Sequence, residues 1–252
     1  MMQAIILSAG RGSRLLPLTT DLPKCLLPIG LTTVLGMQLD TLCKYGVEKV
    51  TVVTGFNEHL VKAEVENRQT GPQVTTLFNP FFQVADNLAS CWMARESMQD
   101  DFLLINGDTL FSPDLLETVL AAPKSSLAVT IDQKDQYDGD DMKVTLEEDM
   151  LKAIGKTLLP RQTQGESIGM LRFMGDGPKI FRDELERLMR LEDGTKSWFL
   201  SAIDGLAKSG TAINTINIKG KAWSELDTPE DYEICRSLFG DSEMARQRFS
   251  VV

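Results

Sequence analysis

The chain has 252 residues, of which 42% are hydrophobic and 25% are charged. This ordinary globular balance excludes a disordered tail, a collagen and a small disulfide scaffold. The net charge of −10 argues against a surface that coats nucleic acid, and the aliphatic runs are too short for a membrane span. No signal peptide is readable, and the four cysteines form no CxxC pair, so we expect a reduced, cytoplasmic protein.

Strand-like and helix-like segments alternate in the first half of the chain. We predict strands over 4–7, 50–53, 74–78, 102–105 and 126–131. Helices are predicted to begin at Thr33, Asn57, Asp86 or Asn87, and Ser112, which are residue types that favour helix starts. The alternation predicts an α/β fold, with a Rossmann-like mixed, mostly parallel sheet and helices on both faces.

The second half has a more mixed pattern. We predict a hairpin over 142–146 and 151–154, a strand over 167–173, and helices over 178–191 and 197–208. A strand over 212–218 precedes a last helix that opens at Thr228. We expect a single domain over residues 1–240, followed by a tail over 241–252.

A glycine-rich segment follows the first predicted strand. It reads S-A-G-R-G-S-R-L-L-P-L-T over 8–19, and P-K-C-L-L-P-I follows over 23–29. Glycines at the carboxyl end of a parallel strand let backbone N–H groups approach phosphate oxygens. Leu15 stands where a dinucleotide-binding loop needs its third glycine, and the Walker pattern is absent. In an acidic chain, Arg14 and Lys24 therefore indicate a triphosphate site, with a solvated basic loop as the alternative.

The segment from Leu7 to Ile29 resembles the nucleotidylyltransferases that join a nucleoside triphosphate to a sugar 1-phosphate or to choline phosphate. The resemblance implies a fold of the nucleotide-diphospho-sugar transferase type, with Arg14 and Lys24 as catalytic phosphate-binding residues. It further implies that the glycine turn wraps the nucleotide through Leu7, Ala9, Gly10, Arg11 and Gly12. We expect the nucleotide-binding half to extend to about residue 131 and the acceptor-binding half to cover about 132–240.

Two aspartates lie far apart in the sequence. Asp108 follows a predicted strand, and Asp227 precedes the last helix. Carboxylate oxygens suit Mg²⁺, which takes one or two of them together with phosphates. A turn residue at Asp108 and an exposed or capping residue at Asp227 are the structural alternatives, whereas the resemblance implies that both hold the catalytic magnesium.

The segment over 79–90 bears on the nucleotide. Asn79, Asn87 and Ser90 have a spacing similar to that of the choline-phosphate cytidylyltransferase branch. Their amides and hydroxyl could read a pyrimidine edge or a ribose, although a strand end and a helix cap would also explain the two asparagines. D-D-M-K-V over 140–144 and W-S-E-L-D over 223–227 resemble the same branch.

The second half supplies candidates for the acceptor site. Trp198, Phe199 and Trp223, with Tyr137 as a further wall, could surround a quaternary ammonium, unless the aromatic residues belong to the core. Lys143 is predicted to hold the acceptor phosphate, and Glu166 a hydroxyl or an amine. Residues 132–149 carry a net charge of −6, which could attract a cation or form a solvated loop.

The resemblance implies a Mg²⁺-dependent transfer of a nucleotidyl group from CTP to a phosphorylated alcohol such as phosphocholine, with release of pyrophosphate. A phosphate monoester, with its second pKa near ~6, is already a nucleophile at neutral pH and needs no general base. The alternatives are a sugar-1-phosphate enzyme that uses UTP, dTTP or GTP, and a non-catalytic nucleotide-binding regulatory module. We expect no nucleic-acid or membrane partner, and the sequence does not indicate the oligomeric state.

Overall fold

The computed structural model describes residues 2–240, so the predicted tail over 241–252 lies outside the described residues. Within this range the strands are β1 (Gln3–Ser8), β2 (Pro28–Ile29), β3 (Thr32–Thr33), β4 (Lys49–Thr54), β5 (Gln73–Phe78), β6 (Phe102–Asn106), β7 (Thr109–Phe111), β8 (Leu127–Asp132), β9 (Lys143–Glu147), β10 (Met150–Gly155), β11 (Gly165–Phe173), β12 (Asn214–Asn217) and β13 (Trp223–Glu225). The α-helices are α1 (Val34–Lys44), α2 (Glu58–Glu66), α3 (Asn87–Met93), α4 (Pro113–Ala121), α5 (Gly177–Met189), α6 (Leu200–Lys208) and α7 (Pro229–Phe239). None of the helices described here is long and apolar enough to cross a membrane.

The described residues form a nine-stranded central sheet in the order β5-β4-β1-β6-β11-β8-β12-β10-β9. Strands β5, β4, β1 and β6 run parallel, as the strand–helix alternation predicts. Strand β11 is antiparallel to both β6 and β8, and the hairpin of β9 and β10 closes the far edge. The predicted α/β class with a mixed sheet is therefore confirmed.

Helices cover both faces of the sheet because its central strands are apolar on both sides. Ile5 of β1 belongs to one buried cluster, while its neighbours Ala4 and Ile6 belong to another. Helices α3, α5 and α6 pack in the first cluster, and α1, α2 and α4 in the second. Each fully buried side chain of this kind contributes about 1.5–3 kcal/mol, so the two-sided core holds the sheet and its helices together.

The helix starts predicted at Thr33, Asn57 and Thr228 are confirmed, and two of these residues cap the helix with their side chains. The Thr33 hydroxyl accepts a hydrogen bond from the backbone N–H three residues on (2.9 Å), and Thr228 forms a capping box with Asp231. Asn57 does not cap α2 with its side chain. Its backbone is left-handed (φ 45°), and its amide donates to the carbonyl of Asp21 instead (2.8 Å).

A two-stranded antiparallel ribbon of β7 and β13, which the sequence pattern did not predict, lies beside the main sheet. Glu225 pairs with Thr109, and the next backbone N–H, that of Leu226, donates to the carbonyl of Asp108 (3.1 Å). The ribbon therefore brings the segment after β6 beside the segment before α7, although the two are far apart in the sequence.

Candidate active site

The candidate site lies where β1 and β6 end side by side. Leu7 pairs with Asn106, and the N–H of Gly107 donates to the Leu7 carbonyl (2.9 Å). A β-carbon at Gly107 would lie 2.6 Å from that carbonyl oxygen, so this approach of two backbones needs glycine. Ligands of α/β proteins bind at such carboxyl ends of parallel strands.

The glycine turn after β1 closes over Lys24. Gly12 has a left-handed backbone (φ 69°), and its carbonyl accepts hydrogen bonds from the N–H of Leu15 (3.0 Å) and the hydroxyl of Thr19 (2.7 Å). A β-carbon at Gly12 would lie 3.1 Å from the Lys24 side chain. Glycine is therefore required here both for the backbone angle and for the contact with the lysine.

Lys24 bridges the two aspartates that the sequence analysis singled out. Its ammonium nitrogen lies 2.7 Å from Asp108 Oδ2 and 2.7 Å from Asp227 Oδ1. Arg14 reaches the other oxygen of Asp227, with Nη2 3.0 Å from Oδ2. Burial lowers the pKa of Lys24, but the two carboxylates outweigh burial and leave that pKa above its ordinary value.

The two carboxylates have the geometry and charge to hold a divalent cation. Asp108 Oδ1 is buried without a hydrogen-bond partner, while Asp108 Oδ2 and Asp227 Oδ1 converge on one ammonium. Burial raises the pKa of Asp227, yet Lys24 and Arg14 outweigh burial and hold that pKa below its usual range. Residues 2–240 contain no group of three or more histidine, cysteine or acidic side chains arranged for a metal. An ion held by this pair would therefore complete its shell with phosphate and water oxygens, as Mg²⁺ commonly does.

A cavity of about 320 Å³ surrounds the contact between the lysine and the aspartates. This volume lies in the range of small-molecule sites, about 300–1,000 Å³. The residues of the sequence-predicted site that line it are Leu7, Gly10, Gly12, Arg14, Lys24, Asn87, Asp108 and Asp227. The structure adds Ser8, Ser13, Cys25, Asn106 and Gly107 to this lining.

A buried glutamine holds the turn that carries Asp108. Gln38 is 1% exposed, and its amide nitrogen donates to the carbonyls of Asn106 (2.9 Å) and Thr109 (2.8 Å), which flank the turn. The sequence pattern does not point to Gln38, because a glutamine within a helix gives no sign that its amide faces another strand.

Asn79 and Ser90 were predicted to contact the nucleotide, but both lie in the interior. The Asn79 amide nitrogen donates to Ser90 Oγ (3.0 Å), and the amide oxygen accepts a backbone N–H two residues on (2.9 Å). The polar groups of Asn79 thus have partners within the fold. Ala9 is also buried, and Arg11 lies over the Phe56 ring, 5.2 Å from its centroid, so neither is among the residues that line the cavity.

The predicted aromatic cage does not form. Phe199 is 1% exposed and belongs to the cluster with α5 and α6, whereas Trp223 packs against the cluster with α1 and α4 on the opposite face of the sheet. The indole N–H of Trp223 donates to Asp132 (2.9 Å), and the backbone N–H of Phe199 donates to Asn87 Oδ1 (2.8 Å). Trp198 is the exposed member of the three, because both others complete the core.

Lys143 was predicted to hold the acceptor phosphate, but it is only 5% exposed and its ammonium donates to the carbonyl of Lys156 (3.0 Å). The lysine that is linked to the site through an ion pair is Lys156. Its Nζ lies 3.1 Å from Asp140 Oδ1 and 5.0 Å from the centroid of the Trp198 ring. Asp140 also pairs with Arg14 (3.3 Å), so Lys156 belongs to the same charge network. Lys156 is not among the predicted site residues, although its place directly after the predicted hairpin was a usable signal.

Two further acids have raised pKa values. Burial raises the pKa of Glu225, and the carboxylates of Asp108 and Asp227 raise it further. Glu225 is not among the predicted site residues, although it stands within the W-S-E-L-D segment. Burial also raises the pKa of Glu166 to about 7, against the lowering effect of Lys134, whose Nζ lies 2.9 Å from Glu166 Oε1. The Glu166 carboxylate is therefore already paired with a lysine of the same chain.

A glycine turn at the end of a parallel strand, with two basic side chains in contact with two carboxylates at the edge of a cavity, is typical of a phosphate-binding site in an α/β protein. Residues 3–139 match the model of the nucleotidyl transferase family, so the chain belongs to that family. The expected resemblance to the nucleotidylyltransferases is therefore confirmed, and members of this family generally use a divalent metal.

Individual relatives differ in the nucleotide that their names state. The chain is 30% identical, over 98% of its length, to CMP-5'-(3-aminopropyl)phosphonate synthase of Streptomyces rubellomurinus, of which it spans 39%. It is 26% identical to UTP–glucose-1-phosphate uridylyltransferase of Haloferax volcanii, over 91% of this chain and 93% of that protein. The fold is shared with CTP:phosphocholine cytidylyltransferase of Streptococcus pneumoniae, with a TM-score of 0.77 and 16% identity over 94% of this chain and 98% of that chain.

Proposed function

We propose that the protein transfers a cytidylyl group from CTP to a small phosphorylated or phosphonylated acceptor and releases pyrophosphate. The observation that carries the proposal is the Lys24 ammonium, 2.7 Å from each of Asp108 and Asp227 at the mouth of the glycine turn. Phosphate-binding and metal-binding groups meet at one point there. CTP is favoured because the Streptomyces relative is named for a CMP product.

The chain's own residues bind and orient the reactants. Arg14 and Lys24 exchange their carboxylate partners for oxygens of the triphosphate, to which charge-assisted hydrogen bonds are strong. A Mg²⁺ ion held by Asp108 and Asp227 would neutralise phosphate charge when bound. Lys156, beside Asp140 and Trp198, is the cation that approaches from the acceptor half.

The reaction needs no general base from the protein. An oxygen of the largely dianionic acceptor phosphate attacks the α-phosphorus of CTP and forms a new P–O–P linkage. The bond from the α-phosphorus to the pyrophosphate oxygen breaks, and pyrophosphate leaves with that electron pair. Catalysis then consists of positioning and charge neutralisation, which the cationic and anionic groups of the cavity supply.

A pyrophosphate-release assay tests the proposal. It would combine CTP, UTP, dTTP and GTP in turn with phosphocholine, phosphoethanolamine, 3-aminopropylphosphonate, glycerol 3-phosphate and glucose 1-phosphate in the presence of Mg²⁺. We expect the highest kcat/KM with CTP and with an acceptor other than the sugar phosphate. Equal rates with all four triphosphates would contradict the proposal.

A second candidate is a sugar-1-phosphate nucleotidylyltransferase, which the 26% identity to the Haloferax uridylyltransferase favours. In the same assay this function would give the highest kcat/KM with UTP or dTTP and glucose 1-phosphate. Nucleotide binding without any pyrophosphate release would instead favour a regulatory module.

A further inference from the structure

A lysine of the acceptor half occupies a site built for a cation. The Lys134 ammonium lies 2.9 Å from Asp141 Oδ2, 2.9 Å from Glu166 Oε1 and 5.7 Å from the centroid of the Tyr137 ring. The side chains of Asp141 and Glu166 are 12% and 5% exposed, whereas that of Lys134 is 38% exposed. The two acids are thus largely buried, and the lysine extends to them from the protein surface.

The three polar groups are bound to one another. Both acids contact the same ammonium, and the nearby carboxylate of Asp141 raises the pKa of Glu166. Burial raises the pKa of Asp141, but its hydrogen bonds with Glu166 and Lys134 outweigh burial and lower it. The single positive charge of Lys134 therefore compensates negative charge on Asp141 and Glu166.

Lys134 also faces a second cavity, of about 580 Å³, together with Gln133, Tyr137, Lys143 and Gln164. An acceptor whose far end enters this cavity meets the lysine before it can reach the acids. A ligand ammonium could bind the acids only by displacing Lys134 and breaking its two charge-assisted hydrogen bonds. An uncharged hydroxyl or amide would meet no such barrier.

We infer that Lys134 sets acceptor specificity by filling the cation subsite of Asp141, Glu166 and Tyr137, so that the enzyme favours acceptors with an uncharged far end. This inference rests on the proposed function, because it names the class of acceptor. Lys134 acts here on specificity and not on catalysis, because its ammonium contacts acids of the acceptor half.

Two acceptors that differ in one group test the inference. Phosphoethanolamine and 2-hydroxyethyl phosphate share the phosphate and the two-carbon chain, and differ in an ammonium against a hydroxyl. Isothermal titration calorimetry gives the affinity for each, with wild type and with Lys134→Met. We expect wild type to favour the hydroxyl compound, and Lys134→Met to shift the affinity ratio toward the ammonium compound by about tenfold or more.

Three further variants isolate the cause. Lys134→Arg keeps the charge and should keep the wild-type ratio. Lys152→Met removes another acceptor-half lysine, one that pairs with Glu147 on the β9–β10 hairpin, and should change nothing. Adding Asp141→Asn to Lys134→Met should abolish the gained preference.

An unchanged ratio in Lys134→Met, or a shift of equal size in Lys152→Met, would overturn the inference. Failure of both compounds to bind either protein would do the same. Calorimetry does not depend on turnover, so the absence of CTP-dependent pyrophosphate release would count against the proposed function alone.

Discussion

The two sides of the site hold their charges in different ways. On the proposed nucleotide side, Lys24 and Arg14 contact Asp108 and Asp227 at the edge of an open cavity, so phosphates and a cation would replace each partner in the proposed reaction. On the proposed acceptor side, Lys143 donates to a backbone carbonyl, and Lys134 is held by two buried acids. The comparison indicates that a lysine or arginine near a cavity is available to a ligand only where the carboxylates that it contacts also bind the ligand.

The largest expected effect comes from the nucleotide side. Asp108→Asn removes the charge of an aspartate that contacts Lys24 while keeping the size of its side chain. We expect pyrophosphate release to fall about a thousandfold, because several kcal/mol of charge stabilisation are lost. Thermal unfolding followed by circular dichroism should show a folded protein, and a variant with the wild-type rate would contradict the metal assignment.

The second-largest expected effect tests the close contact between the backbones of Gly107 and Leu7. An alanine β-carbon at Gly107 would press against the Leu7 carbonyl oxygen at 2.6 Å. We expect Gly107→Ala to destabilise the protein by about 1–3 kcal/mol and to lower kcat about a hundredfold by shifting Asp108. Gly139→Ala is the matched control, because no atom lies within 4 Å of its added carbon. Equal behaviour of the two variants in urea unfolding and in the rate assay would argue against this reading.

A smaller effect is expected from the residue that supports the Asp108 turn. Gln38→Met leaves the carbonyls of Asn106 and Thr109 without their amide donor, and we expect a roughly tenfold loss of kcat through looser positioning. The Mg²⁺ concentration for half-maximal rate should rise. Gln3→Met removes a similar bond, 2.9 Å to the Ser97 carbonyl, away from the site. A rise in the Mg²⁺ requirement with both variants would show a general loss of stability instead of a positioning role.

The smallest expected effect is on the acceptor side, and it is a change in how the free energy of unfolding depends on pH. Burial raises the pKa of Glu166 from 4.5 to about 7, so the folded state holds this proton more tightly than the unfolded state. The stability due to that proton is fully present below pH 4.5 and is lost as the pH rises to about 7. Its slope is about 1 kcal/mol per pH unit.

Urea unfolding between pH 4.5 and 8 measures this slope. In Glu166→Gln the Glu166 contribution is absent, so wild type should lose stability relative to the variant up to about pH 7, and the difference should then level off. Parallel curves for the two proteins would contradict the assigned cause.

Much of the fold and the nucleotide side could be predicted from local signals. The βα alternation, the apolar runs and the caps at Thr33 and Thr228 depend on residues that are close in sequence. The glycine turn with Arg14 and Lys24 is likewise a local pattern. The ribbon of β7 and β13 was missed because its strands are short and pair across a large sequence distance.

The acceptor side was harder to predict because residue type alone does not tell where a side chain points. Phe199 and Lys143 have the chemistry of a cage wall and a phosphate ligand, but packing buries both of them. Asn79 and Ser90 have the chemistry of a nucleotide ligand, yet they bond to each other. The contacts of Lys156 and Gln38 are made with segments that are distant in the sequence, so the type and position of these residues do not reveal them.

Periodicity, capping and backbone freedom act over a few residues, so they are enough to predict the α/β architecture and the cationic glycine turn. The contact of Asp108 and Asp227 with Lys24, and the burial of the lysines in the second half, arise only in the folded chain. Such meetings depend on strand pairing and burial between distant segments, and no local pattern in the chain encodes them.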